Sequence, residues 1–277
     1  MKKRFLAALL VCLLILTACA PASTSAPKQE KGGYEKFAAA YQKSKELDSS
    51  HYELSVFYDI AFENGGSNLL SESAEITGSV ITVGVGGNNV SFLCDSQIKY
   101  SYYDEAFSET TYYADGTLYN DAYSAVSKTR SKHSAECMYG VALGSLMGHY
   151  EFMNFPESAV LSQDVSADQD IFFCSLLSEK MSGYLYSFTA TPLYDTIGTA
   201  LTKWEFSDIA LENTLTGEGY LTAQKWTVTA NGLIPDPDAT GIFIDAAITI
   251  RAELKLNTPE TPAKITPPNL IGYTPVP

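Results

Sequence analysis

Residues 242–256 read Ile242-Phe243-Ile244-Asp245-Ala246-Ala247-Ile248-Thr249-Ile250-Arg251-Ala252-Glu253-Leu254-Lys255-Leu256. Every even position is apolar, and Asp245, Thr249, Arg251, Glu253 and Lys255 stand between them. Apolar residues at every second position put one side of an extended chain in a core and the other in water. A helix, with a period near 3.6, cannot separate these two sets. A strand this long spans about 40–50 Å and must twist, so its sheet has to bend.

The same signature lies upstream. In 51–62, Tyr52, Leu54, Val56, Tyr58, Ile60 and Phe62 alternate with a set that includes His51, Glu53, Ser55 and Asp59. Shorter alternations run through Val90, Phe92 and Cys94, through Ile98, Tyr100 and Tyr102, through Tyr184, Tyr186 and Phe188, and through Trp226, Val228 and Ala230. Asp115-Gly116 and Asn231-Gly232 are tight-hairpin dipeptides, because both central residues of a type I′ turn need positive φ. Strands with one apolar and one wet face belong to antiparallel sheets covered on one side. Helical spacing predicts three covering elements: 34–47, 134–150 and, entered through Pro192, 193–204. The expected fold class is α+β: a large curved antiparallel sheet, a half-barrel, with a few helices on its concave apolar face.

The N-terminus speaks about location. Met1-Lys2-Lys3-Arg4 precedes an apolar run from Phe5 to Leu16, and Leu16-Thr17-Ala18-Cys19 follows. A basic start, a short apolar run and a small-residue cleavage site form an export signal, too short to span a bilayer that needs about 20 residues. The Leu-x-Ala-Cys order resembles the lipobox of bacterial lipoproteins. That likeness implies cleavage before Cys19 and acylation of its thiol by chains such as palmitate, leaving the protein on the extracytoplasmic face of a membrane (the outer membrane in a Gram-negative source). The division expected is a signal peptide at 1–18, a lipid-anchored flexible tether at 19–33, a domain at 34–257 and a proline-rich strap at 258–277. Residues 20–33 have a linker's small, polar composition and reach at most ~45 Å.

With 18 Lys+Arg against 32 Asp+Glu, the net charge is −14, more negative still without Lys2, Lys3 and Arg4. That balance argues against nucleic acid and against docking on anionic headgroups by charge. Cys94, Cys137 and Cys174 fit no zinc spacing; an exported compartment permits one disulfide, and three buried thiols are the alternative. His51, His133 and His149 lack neighbours at metal-ligand spacing. No serine sits in a Gly-x-Ser-x-Gly turn and no glycine-rich loop carries a Walker lysine. Gly84-Val85-Gly86-Gly87 reads as a strand end, and Asp236-Pro237-Asp238 as a rigid turn rather than a calcium loop. The 18 tyrosines suit strand faces, with sugar binding as a lesser reading. The expectation is a non-catalytic protein with no cofactor and no metal.

One oddity remains. Gly140, Gly144 and Gly148 form a stripe on the 134–150 helix, though each glycine costs about 1 kcal/mol there relative to alanine. Either the stripe allows close packing on the sheet or it keeps a groove clear beside Met138. The whole layout (lipobox, tether, helix, long alternating strands, central helical insert, proline-rich end) resembles the LolA/LppX-like lipoproteins, an unclosed β-barrel around helices. The resemblance covers about 34–277 and is one of layout. It implies a lipid or acyl-chain ligand in a cavity between sheet and helices, with Met138, Gly140, Gly144, Gly148, Val56, Tyr58, Ile60, Ile248 and Ile250 as candidate lining. The competing reading is a self-filled core whose surface meets an envelope protein.

Overall fold

In the computed structural model, alternation over 49–64 and 243–256 becomes two long strands paired side by side. The structure describes residues 32–64, 67–85, 90–101, 106–124, 127–134, 150–166, 168, 170–185, 202–235, 241–257, 259 and 261–275. Within these, helix α1 (Gly33–Lys45) precedes β1 (Ser49–Asn64), β2 (Ser67–Val83), β3 (Ser91–Tyr100), β4 (Phe107–Ala114), β5 (Thr117–Ser124) and β6 (Ser127–Ser134). Then come β7 (Val160–Val165), β8 (Ile171–Leu176), β9 (Thr202–Phe206), β10 (Ile209–Leu215), β11 (Leu221–Pro235), β12 (Phe243–Leu256) and β13 (Thr274–Pro275). They make one open sheet in the order β13-β6-β5-β4-β3-β2-β1-β12-β11-β10-β8-β7, with β9 on β11. All pairs are antiparallel except β13 with β6. The sheet is not closed into a barrel.

The registers put apolar residues in rows. Ile98, Ile76, Val56, Ala252, Trp226, Leu211 and Cys174 follow one another across seven strands on the inner face. One position along, Gln97, Thr77, Ser55, Glu253, Lys225, Glu212 and Phe173 form the matching row on the outer face. Lys225 there reaches Glu212 at 3.5 Å and Glu253 at 3.6 Å. One face is dry and the other wet because the side-chain period of a strand is two.

Asp115 and Gly116 turn β4 into β5 with φ of 49° and 72°, the two positive values a type I′ turn requires. Asn231-Gly232 does not make a hairpin. It stays extended inside β11, opposite Ala247 and Ala246, because β12 continues to offer partners there. The chain reverses only between Pro235 and Phe243. Residues 202–204, expected as the end of a helix, belong to β9. Strand β11 outruns β10, and β9 satisfies the backbone groups left beyond it. Residues 182–185 are a helical turn rather than the start of a Tyr184–Phe188 strand: Met181 and Leu185, four apart and both buried, set its inner side. Ile242 precedes β12 and is exposed. The remaining parts of the 134–150 and 193–204 segments, and Asp236-Pro237-Asp238, lie outside the described residues.

Ile248 is fully buried and pairs with Ile60 and Ala230. Ile248→Asp therefore places a carboxylate with no partner in the core and is expected to cost more than the roughly 2–7 kcal/mol of an unpaired neutral polar group, read as loss of folding or of Tm. The next residue faces outward opposite Asp59, so Thr249→Lys should stay within about 0.5 kcal/mol. Equal losses in the two variants would contradict the one-sided sheet.

Candidate functional site

Helix α1 lies over β7, β8, β10 and β11. Phe37 and Ala40 point inward from it, and Phe37 stacks on Phe155 with ring centroids 4.3 Å apart. Gly33 presses against the Phe172 ring, where a Cβ would collide. Near the other end, Ser44 Oγ donates to Leu221 O at 3.0 Å and accepts from Leu221 N at 2.9 Å. Lys43 lies 3.9 Å over the Tyr220 ring and donates to Glu218 O. These contacts fix both the axis and the rotation of the helix on the sheet.

A second cover is the irregular segment 150–156. Its backbone polar groups need partners, since no strand neighbour supplies them. Gln224, buried on the inner face, does so: its Nε2 donates to Met153 O at 3.1 Å and to Asn213 Oδ1 at 2.9 Å, and its Oε1 accepts from Met153 N. Phe152 then meets Tyr52 edge-on at 5.4 Å. Tyr150 reaches across to Gly78, where any Cβ would overlap its hydroxyl. Among the described residues that hydroxyl has no oxygen or nitrogen partner, and it lies against the Cys94 thiol.

Among the described residues, two openings reach the inner face. The first, about 150 Å³, lies between the last turn of α1 and the ends of β1 and β2, walled by Tyr41, Leu47, Tyr52, Val85 and Phe152. Its polar members Ser50 and Thr82 satisfy each other, Oγ to Oγ1 at 2.7 Å, and the exposed Lys45 and Glu151 flank it. Burial first, and the Glu151 carboxylate second, hold the Tyr41 and Tyr52 hydroxyls above the usual phenol range. Both therefore serve as neutral hydrogen-bonding groups. The second opening, about 180 Å³, is lined by Ser96, Ile98, Phe107, Glu109 and Ala122. A larger open groove of about 550 Å³ runs along the outer face over β7, β8, β10 and β11, floored by the Glu212–Lys225 ion pair.

Val56, Tyr58, Ile60, Ile248 and Ile250 come together as expected of neighbours on paired strands, but as fully buried core. They line neither inner opening. Cys19, Met138, Gly140, Gly144 and Gly148 lie outside the described residues. The residues that do wall the opening beside α1 were not singled out from sequence. One signal was present: Ser50 and Thr82 fall in phase with the apolar positions of their strands yet are polar. Among the described residues, no group of His, Cys, Asp or Glu is arranged to hold a metal.

No protein-family model and no curated protein matches the chain. Among solved structures it is similar to LprF from Mycobacterium bovis, at 13% identity over 86% of this chain and 96% of that one, with a TM-score of 0.35. A DUF1329 family protein from Desulfovibrio piger matches at 10% identity, over 82% and 93% of the two chains, with a TM-score of 0.22. The ywiB protein of Bacillus subtilis matches at 10% identity, over 76% and 96%, with a TM-score of 0.17. At these values the likeness carries no functional argument.

Cys94 and Cys174 are free and buried on the inner face. Burial pushes both thiols up to about 12, the Tyr150 hydroxyl opposing this in part at Cys94. Little of either is therefore thiolate, the reactive form, at pH 8. Iodoacetamide, with the modified sites assigned by mass spectrometry, should leave both unlabelled in the native chain and label both on unfolding. Rapid native labelling would show that the inner face admits solvent.

Proposed function

We propose that this chain is a membrane-anchored extracytoplasmic lipoprotein, non-catalytic, that holds the apolar end of a lipid or acyl-chain ligand between α1 and the inner face of its sheet. The observation that supports this reading is the opening beside α1, whose aromatic and aliphatic walls continue the buried apolar face to the surface. Its neutral tyrosines and its flanking Lys45 and Glu151 offer partners to a polar head that stays in water. At about 150 Å³ it suits a short apolar end, since sites that enclose drug-sized ligands run to about 300–1,000 Å³.

That same volume favours a second reading, in which the core is filled by its own side chains and the protein serves through its surface. The Phe37–Phe155 stack and the tight seats at Gly33 and Gly78 pack the described covers closely onto the sheet.

Native mass spectrometry of the purified full chain, followed by solvent extraction, separates the two. A ligand-binding protein carries an extractable lipid and takes up a fluorescent fatty acid. Leu47→Trp, which fills the opening from its rim, should reduce uptake at least tenfold with Tm unchanged. No co-purified lipid and no uptake would leave the self-filled reading. The anchor is tested apart: Cys19→Ser should abolish lipidation and either release the protein or leave it unprocessed. Processing and membrane partitioning identical to wild type would remove it.

A further inference from the structure

Strand β6 would be a sheet edge but for two residues of β13, and its outer face carries Lys128, Arg130 and Lys132 at alternate positions. Opposite them on β5 stand Tyr123, Asp121 and Tyr119. Asp121 is the one acid in this set and is taken by Arg130 at 2.9 Å, which leaves Lys128 and Lys132 without an acidic partner among the described residues.

The C-terminal segment sets an apolar turn beside them. Ile271 O accepts from Arg130 Nη1 at 3.1 Å, Tyr273 lies under the Arg130 guanidinium at 5.5 Å and meets Tyr119 at 5.4 Å, and Thr274 pairs with Ser131. Gly272 turns the chain with φ of 87°. Held this way, Ile271 is 78% exposed, the most exposed large hydrophobic side chain among the described residues, and Leu270 and Tyr123 are exposed as well.

We propose that this edge docks on the anionic face of a lipid bilayer, with Leu270 and Ile271 entering the headgroup layer and Lys128 and Lys132 meeting lipid phosphates. The −14 net charge does not forbid it, because charges beyond a Debye length of about 8–10 Å are screened. At contact, the local cations decide, each worth roughly a fivefold gain in membrane partitioning. Apolar side chains between basic ones are the composition that seats in an interface. The proposal rests on the membrane location given above and is independent of any ligand.

The full chain is mixed with vesicles of phosphatidylcholine alone or with phosphatidylglycerol added. Sedimentation is measured, together with hydrogen exchange of the amides of 269–275. Exchange should slow at least about fivefold on the anionic vesicles alone, and the effect should vanish at 1 M salt, where the Debye length falls to about 3 Å. The variant K128E/K132E and, separately, Ile271→Asp should lose this protection with Tm unchanged. Sedimentation with both vesicles but equal exchange on them overturns docking and spares the anchor. Sedimentation with neither overturns both. Protection retained in K128E/K132E, or reproduced by soluble polyphosphate, also refutes a bilayer partner.

Discussion

Strands β1 and β12 pair from Tyr52↔Leu256 to Glu63↔Asp245 without a break in register. The two halves of the sheet meet along this line: β2 to β6 are laid on β1, and β11, β10, β8 and β7 follow from β12. A slip of one residue would move Ile248 and Ile250 to water and bring Thr249 and Arg251 under the covers. The register is held by burial on one face and reinforced on the other by charge. Arg251 reaches Asp59 at 2.5 Å and lies 4.9 Å from the Phe57 ring. Because the partners are so distant in sequence, the chain must close a very long loop before this pairing returns any energy, which predicts slow folding.

Once that pairing exists, the inner face needs a cover, and the described cover is of two kinds. Helix α1 satisfies its own backbone and needs only an apolar side and the two Ser44–Leu221 hydrogen bonds to seat it. The irregular segment 150–156 cannot satisfy itself and relies on Gln224, which Asn213 holds in turn, polar side chains placed on an otherwise apolar face. Such a network is costly when incomplete and specifying when complete. It explains why the opening beside α1 has a fixed outline: its Phe152 and Glu151 wall hangs from a segment that Gln224 holds.

The two long edges of the sheet are treated differently. Strand β7 is short and carries a bulge between Val160 and Ser162, a common way to blunt an exposed edge. Strand β6 is capped by the proline-rich segment, which also bonds to the start of β1 through Ala263 N and Ser49 Oγ at 3.2 Å. Proline suits an outermost position because it has no N–H to leave unpaired. The price of this cap is the exposed Ile271 turn, and that cost invites a role for it at a surface.

The sequence by itself marked β1, β3, β11 and β12 as strands with one dry face, since a period of two is a property of the chain before it folds, but not β2, β6, β7, β8 or β10. It determined α1 in the same way, and the Asp115-Gly116 turn through its demand for positive φ. Tertiary structure decided the rest. Asn231-Gly232 had the chemistry of a hairpin and lost it because β12 offered continued pairing; residues 202–204 became strand because β11 had a free edge. The opening beside α1 was not legible, because Tyr41, Leu47, Tyr52, Val85 and Phe152 come from four stretches and each, taken alone, reads as ordinary core or loop. A cavity is space left where elements meet, and local periodicity contains no record of how they meet.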